Sequence, residues 1–284
     1  MSKTSDLHLH TLVSDGENTP TEMLAAAGEA GLKRVSFTDH DALGAYRHFG
    51  DIFTHARGLG IDLVVGIELD TVYQGREVHL LGYGFNLDDG GLNAHLESTR
   101  GLRRERVTRQ IELINRHFGR KVVDPARVLI PNRDTLMKPH LVHAMLDLKL
   151  FAEYREAAHW VSENARVDVI VPKLPIADAI RLLRKAGGDA VLAHPGYLVR
   201  EMEIPLESLL KELIPFGLSG IEVEYPYQGT SPVFPNLVAQ RAMIDDLHAL
   251  AKRFKLKETQ GSDAHDTEAL KKFAGTFPVE ELKG

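Results

Sequence analysis

The stretch Asp6-Leu7-His8-Leu9-His10-Thr11 alternates polar and apolar residues, which predicts a β-strand near the start of the chain. Because side chains two residues apart in a strand point to the same face, His8 and His10 are expected to lie side by side. Asp15 follows shortly in the loop Ser14-Asp15-Gly16. Imidazole nitrogens and a carboxylate in this arrangement suit a divalent metal ion.

Outward from this stretch, the pattern alternates between strand and helix. Thr19 and Pro20 are the expected cap and first residue of a helix that runs to Ala30. Further strands are predicted over 35–38, 62–69 and 78–85, with a helix from about 42 to 57. The second half repeats the pattern, with helices over 176–186, 206–215 and 237–254 and strands over 190–193, 220–224 and 259–262. This alternation predicts a parallel α/β sheet or barrel.

A long helical region interrupts the alternation. Helical periodicity is predicted over 102–118, 139–148 and 152–162, and no strand pattern separates these helices. We therefore expect a barrel formed by 1–91 and 168–284, with an inserted helical subdomain over 92–167 that covers the substrate.

Composition limits the possible functions. The chain has 284 residues, 43% of them hydrophobic, which is enough for a sizeable core. It has no cysteine, so a metal site must use nitrogen and oxygen ligands. The formal net charge of −6 disfavours non-specific binding of duplex DNA. No signal peptide or membrane-spanning stretch is apparent, so we expect a cytoplasmic protein without a membrane partner. The sequence does not predict an oligomeric state.

Nine His, Asp and Glu residues recur at or near predicted strand ends. In parallel α/β folds these ends converge on one site. Nine ligands exceed the needs of one ion, which indicates two or three ions. The nine residues are His8, His10, Asp15, His40, Glu68, His79, His194, Asp263 and His265.

These motifs resemble those of the PHP (polymerase and histidinol phosphatase) family. The matching segments are 6–11 with 14–16, Thr38-Asp39-His40-Asp41, Gly66-Ile67-Glu68, Ala193-His194-Pro195 and 261–265, in the family's order. The resemblance implies a distorted (β/α)7 barrel whose nine ligands hold three divalent ions. Manganese is the expected metal, with zinc, iron or magnesium as alternatives. The subgroup that it resembles consists of stand-alone phosphoesterases with an inserted helical subdomain.

Two segments are candidates for substrate binding. The basic stretch 100–109 has a simple interpretation as a solvated helix face. Its arginines could instead bind a second phosphate through paired hydrogen bonds. Lys138-Pro139-His140 stands where relatives usually carry Arg-Pro-His, and 261–266 departs from relatives that have Phe before the last His and Gly after it. The predicted substrate contacts are Arg103, Arg106, Arg109, Lys138 and His140, and the predicted proton donors are Asp263 and His140.

The resulting hypothesis is a phosphoesterase in which a metal-bridging hydroxide attacks phosphorus. A nucleoside 3′,5′-bisphosphate or a short RNA 5′ end is the first expected substrate. A cyclic phosphodiester or histidinol phosphate is the alternative. A C–N hydrolase of the amidohydrolase type would usually need a lysine on a middle strand, and no convincing one is present. A non-catalytic PHP module would usually lack several of the ligands.

Overall fold

A sheet of eight strands forms the centre of the computed structural model, which describes residues 4–227 and 233–274. Seven strands run in the order β1-β2-β3-β4-β6-β7-β8, and the short β5 pairs with β3. The strands are β1 (Ser5–Leu9), β2 (Arg34–Phe37), β3 (Asp62–Tyr73), β4 (Arg76–Tyr83), β5 (Leu174–Pro175), β6 (Asp189–Leu192), β7 (Leu218–Glu224) and β8 (Lys257–Gln260).

The two ends of the sheet meet through the segment that follows β8. The Asp263 amide donates to the His8 carbonyl, and the His10 amide donates to the Ala264 carbonyl, each over 2.9 Å. Leu9 and Ala264 form an isolated parallel bridge. The sheet therefore curls into a distorted barrel, which confirms the predicted fold class.

The expectation of a purely parallel sheet is wrong at β4. This strand is antiparallel to both β3 and β6. Only Gln74 and Gly75 separate β3 from β4, and both have positive φ, of 49° and 77°. A two-residue turn of this kind joins antiparallel neighbours, whereas a parallel pair needs a much longer crossover.

Helices cover the barrel and fill the region between β4 and β5. They are α1 (Pro20–Glu29), α2 (Ile52–Gly58), α3 (Gly90–His117), α4 (Pro125–Val128), α5 (Lys138–Asp147), α6 (Tyr154–Asn164), α7 (Ile176–Lys185), α8 (Pro195–Arg200), α9 (Leu206–Leu213), α10 (Leu237–Phe254) and α11 (Thr267–Phe273). The predicted cap of α1 is present, because the Thr19 side chain accepts from the Glu22 amide and Glu22 bonds back to Thr19. No helix in 4–227 or 233–274 is long and apolar enough to cross a membrane.

Two helix predictions were wrong in extent. The helix expected over 42–57 is a 3-10 turn at Gly44–Tyr46 followed by α2, with Gly50 at φ 67° between them. The helix expected from 102 begins at Gly90, capped by the Asp89 side chain. The pair Gly90-Gly91 has poor helix propensity, which hid this start.

A second hydrophobic core lies in the region of the predicted insertion. It joins residues such as Val107, Ile111, Leu141 and Val161, separately from the core of the barrel. The first turns of α3 pack elsewhere, because Leu92 belongs to the barrel core. The boundaries 92 and 167 therefore stay a prediction.

Candidate metal centre

Glu68 lies at the centre of the predicted ligand set. It is at the buried middle of β3, and its side chain is 1% exposed. Five imidazoles approach its two carboxylate oxygens. They are His8 Nε2 at 3.2 Å, His10 Nε2 at 3.2 Å, His40 Nε2 at 3.4 Å, His79 Nδ1 at 3.0 Å and His194 Nε2 at 3.2 Å.

The remaining three predicted ligands adjoin His10. Asp263 Oδ1 lies 2.9 Å from His10 Nε2 and 3.4 Å from His8 Nε2. Asp15 Oδ1 lies 3.6 Å from His10 Nδ1 and 3.5 Å from His265 Nε2. The structure therefore brings all nine residues together, with Glu68 and His79 inside β3 and β4 and most of the others at or just beyond strand ends.

The donor atoms of this cluster fit a divalent cation. Buried polar atoms almost always have hydrogen-bond partners, yet several here have none. These orphaned atoms are His10 Nε2, Asp15 Oδ1, His40 Nδ1, Asp70 Oδ1, His194 Nδ1 and Asp263 Oδ1. Three overlapping groups place their ligand atoms within 4.8 Å of one another, namely His10-Asp15-His40-His265, His8-His10-Glu68-Asp263 and His40-Glu68-His79. Nitrogen and oxygen atoms that converge in this way, several of them unbonded, are what a cation requires.

The backbone is strained at three positions around the cluster. Asp41, His194 and Asp263 have φ values of 46°, 28° and 55°, in the left-handed region that non-glycine residues seldom adopt. Such conformations cost energy and persist where the surrounding structure fixes them, often at functional sites. His194 follows β6 and Asp263 follows β8, and both side chains enter the cluster, whereas the Asp41 carboxylate pairs with Arg103.

Mutual electrostatic interactions shift the pKa values of several buried groups in the cluster. Burial alone would raise the pKa of Glu68, but His40, His8 and His79 hold it well below its usual range. Burial alone would lower the pKa of His8, but Glu222, Asp263 and Glu68 raise it well above its ordinary value. Protons here occupy the positions that metal ions take, because metal binding requires neutral imidazole and releases protons.

Glu222 was missed by the sequence analysis. Its Oε1 lies 3.0 Å from His8 Nδ1, and its Oε2 accepts from the His194 amide over 2.8 Å. Glu222 is fully buried on β7. A carboxylate inside an apolar strand is costly without a partner, and that signal could have identified it.

Asp70 and Tyr225 were missed as well. Asp70 Oδ1 lies 2.9 Å from His40 Nδ1, and the Tyr225 hydroxyl donates to Asp263 Oδ2 over 2.8 Å. Such outer contacts orient metal ligands and fix their tautomers.

The predicted arginine contacts lie in different places. Arg103 is buried, and its Nη2 contacts Asp41 at 2.6 Å and Asp70 at 2.7 Å. Arg106 lines a cavity of about 540 Å³ beside the cluster. Arg109 is exposed and pairs with Glu105, and it does not line that cavity. Their roles toward substrate stay predictions.

Lys138 and His140 lie at the start of α5. Lys138 lines the same cavity as Arg106. Both ring nitrogens of His140 are bonded, because Nδ1 accepts from the Met137 amide over 2.9 Å and Nε2 donates to the Ser14 carbonyl over 2.8 Å. Burial, with the nearby Arg133, lowers the pKa of His140 to about 4. His140 thus supports the loop before Asp15, and its predicted contact with substrate remains untested.

A distorted barrel with clustered imidazoles and carboxylates at its strand ends defines a metal-dependent hydrolase. Comparison with known proteins narrows this class. A family model described as PHP domain matches residues 6–166, and the chain belongs to the PHP domain family. It is a metal-dependent phosphoesterase.

Individual relatives cover nearly the whole chain. A phosphoribosyl 1,2-cyclic phosphate 1,2-diphosphodiesterase of Eggerthella lenta is 32% identical over 92% of this chain and 93% of its own. A 3′,5′-nucleoside bisphosphate phosphatase of Chromobacterium violaceum is 26% identical over 92% and 86%. A crystal structure from Bifidobacterium adolescentis, described as a metal-dependent phosphoesterase, has a TM-score of 0.77 at 26% identity, covering 93% of this chain and 88% of that chain.

Proposed function

We propose that this phosphoesterase hydrolyses a small ribose ester that carries two phosphate groups. One phosphate would bind at the metal centre. The other would bind in the adjoining cationic cavity, which we name the inner cavity. It is lined by Arg103, Arg106, Lys138, Arg166 and Lys173 together with Asp70 and Glu77.

The charge balance of the inner cavity is the observation that carries this proposal. Arg103 is paired with Asp70, and Lys173 is paired with Glu77. Arg106 has no carboxylate within ion-pair distance in the described part of the chain. A phosphate group would supply the missing negative charge, and arginine matches its geometry with two parallel hydrogen bonds.

We infer that the nine clustered residues hold three divalent ions, with manganese the expected metal. Bound divalent ions polarise phosphoryl oxygens and lower the pKa of a coordinated water. Glu222 would keep the His8 ring oriented toward the centre. Burial alone would raise the pKa of Asp263, but His8 and His10 hold it below its usual range, so this carboxylate is better suited to bind a cation than to deliver a proton.

Two substrates fit the description of a ribose ester with two phosphates. The higher identity to the Eggerthella lenta protein favours a phosphoribosyl cyclic phosphate. The Chromobacterium violaceum relative supports a nucleoside 3′,5′-bisphosphate, the substrate that the sequence analysis placed first. Both candidates share the second phosphate on which the inner cavity would act, and a short RNA 5′ end shares it too.

The test compares substrates that differ only in the second phosphate. With manganese-loaded protein, phosphate release would be measured for adenosine 3′,5′-bisphosphate against AMP. Ring-opened product together with phosphate would be measured for phosphoribosyl cyclic phosphate against ribose cyclic phosphate, because opening a cyclic diester alone releases no phosphate. We expect the doubly phosphorylated member of at least one pair to be strongly preferred. Arg106→Gln should raise the KM of that substrate about tenfold, since it removes a charge-assisted contact.

Arg116→Gln is the matched control. Arg116 is exposed near the end of α3 and lines neither the inner cavity nor the metal centre. The same loss of charge there should leave KM unchanged. Equal turnover within both substrate pairs, or equal effects of the two variants, would refute the second-phosphate proposal.

A further inference from the structure

A second cavity lies on the other side of α3. Its volume is about 550 Å³, and it separates one face of α3 from the segment 129–134. Arg100 and Arg104 line it from the helix, and Arg133 lines it from the segment. Arg103 and Arg106 face the inner cavity instead. We name this second space the outer cavity.

The outer cavity is lined by three arginines and two carboxylates, and both carboxylates pair with the same arginine. Arg100 contacts Glu97 at 2.6 Å and Asp134 at 3.2 Å. Across 4–227 and 233–274, no carboxylate lies within ion-pair distance of Arg104 or Arg133. The outer cavity therefore contains two cationic side chains without a neutralising partner, on a chain of net charge −6.

Of these two arginines, Arg133 gives the stronger evidence for an anion site. Its side chain is partly buried, and burial lowers its pKa. Its guanidinium donates only to backbone carbonyls, from Nε to Leu12 over 3.3 Å and from Nη1 to Val128 over 3.2 Å. The Asp15 carboxylate acts on this cation only from beyond ion-pair distance, and a bound anion would offset more of the cost of its burial.

We propose that the outer cavity binds a phosphate group through Arg104 and Arg133, separately from the metal centre and the inner cavity. Guanidinium groups match phosphate oxygens in geometry and charge. Leu129, Ile130 and Leu136 supply a partly apolar wall beside these arginines.

Hydrogen bonds connect the outer cavity to the loop that carries Asp15. Arg133 bonds the Leu12 carbonyl, and the amides of Asp134 and Thr135 donate to the Val13 carbonyl over 2.9 and 3.0 Å. Leu12 and Val13 belong to the loop that carries Asp15. A phosphate held by Arg133 would therefore stabilise the loop that presents a predicted metal ligand.

The test uses the metal-loaded protein and inorganic phosphate. The melting temperature would be measured as phosphate is added, with sodium chloride at equal ionic strength as the reference. We expect phosphate to raise the melting temperature of the parent protein more than chloride does, because a ligand that binds only the folded state stabilises it. Arg104→Gln and Arg133→Gln should each lose at least half of this phosphate-specific rise.

Arg116→Gln, with the same loss of charge on the same helix, should keep the full rise. Arg104 is exposed, so its replacement should leave folding intact even if Arg133→Gln lowers the baseline stability. An equal phosphate-specific rise in the parent, Arg104→Gln and Arg116→Gln proteins would overturn the proposal.

Two sources of phosphate can be distinguished by kinetics. A raised KM of Arg104→Gln for a 5′-phosphorylated hexaribonucleotide, with no change for adenosine 3′,5′-bisphosphate, would identify a phosphate of a longer chain. Unchanged KM values with a lost melting shift would identify free phosphate. Arg106→Gln reports on the inner cavity alone, so failure of the proposed function would be seen separately from failure of the outer site.

Discussion

Glu68 is the residue on which the metal centre depends most. It presents two carboxylate oxygens to imidazoles that come from β1, β4 and the loops after β2 and β6. Because it is buried, its charge is poorly screened by solvent and acts strongly on each ring. The charge and position of Glu68 therefore hold together side chains from segments that are spread over most of the chain.

Replacement of Glu68 by Gln should remove metal and activity together. The amide keeps the size of the side chain but has no charge, and its NH₂ group cannot bind a cation. We expect the loss of phosphate release to exceed the roughly 10- to 100-fold cost of losing an outer contact of a metal ligand. Metal content per chain would be measured by mass spectrometry beside activity. Glu156→Gln, an exposed change on α6, is the control, and full metal content in Glu68→Gln would show that Glu68 is not needed to hold the metal.

His140 should make stability depend on pH. Its pKa is about 4 in the folded chain against 6.5 ordinarily, so the unfolded chain binds a proton over a range in which the folded chain does not. Stability is then unaffected above pH 7.5 and falls as pH drops through 6.5 toward 4. Between pH 7.5 and 5 the loss from this residue is about 2 kcal/mol.

Urea unfolding of parent and His140→Gln proteins at pH 7.5 and 5 measures this contribution. The difference between the two proteins isolates His140, because the other titrating groups are common to both. The variant should lose less stability than the parent on acidification. An identical loss in both would show that His140 is not held neutral.

At the scale of elements, sequence patterns predicted what depends on local periodicity. The strands β1, β2, β6 and β7 and the helices α1 and α10 follow from alternation, capping and spacing. The direction of β4 did not, because the turn Gln74-Gly75 lacks the common Asn-Gly signature. The start of α3 was missed because Gly90-Gly91 opposes helix formation while Asp89 caps it.

The residues of the site also divide into those that sequence motifs predicted and those that they did not. Its nine predicted ligands fall in short motifs at strand ends, where sequence order reports position. Asp70 is two residues after Glu68 on β3, so the strand period places both on one face. Glu222 and Arg133 stand in no such motif, and tertiary packing brings them to the centre or its margin. Glu222 in particular meets His8 from 214 positions away.

Arg103 ties α3 to the barrel. Arg103→Met would leave Asp41 and Asp70 buried without their shared cation, which typically costs about 3 to 5 kcal/mol. The free energy of unfolding, measured in urea with metal present, should fall by that amount. Arg116→Met on the same helix is exposed and should change it by less than about 0.5 kcal/mol. Similar small effects in both variants would show that Arg103 does not anchor the helix.

At the scale of the whole molecule, α3 divides two cationic cavities beside one metal centre. Arg103 and Arg106 face the inner cavity, whereas Arg100 and Arg104 face the outer one. Such an arrangement concentrates positive charge near the centre of a protein that is acidic as a whole. Phosphorylated substrates would be attracted locally, while long nucleic acids would be repelled by the remaining surface.

The central claim is that the clustered His, Asp and Glu residues support metal-dependent hydrolysis of a phosphate ester with a second phosphate. This is tested by hydrolysis with metal-stripped protein before and after manganese is added, measured as phosphate released or as ring-opened product formed, with adenosine 3′,5′-bisphosphate, phosphoribosyl cyclic phosphate and their singly phosphorylated counterparts. We expect no hydrolysis without metal. After manganese is added, hydrolysis should return and should favour a doubly phosphorylated substrate. Undiminished hydrolysis by the stripped protein would contradict metal-dependent hydrolysis. So would the absence of hydrolysis of every phosphate ester after manganese is restored.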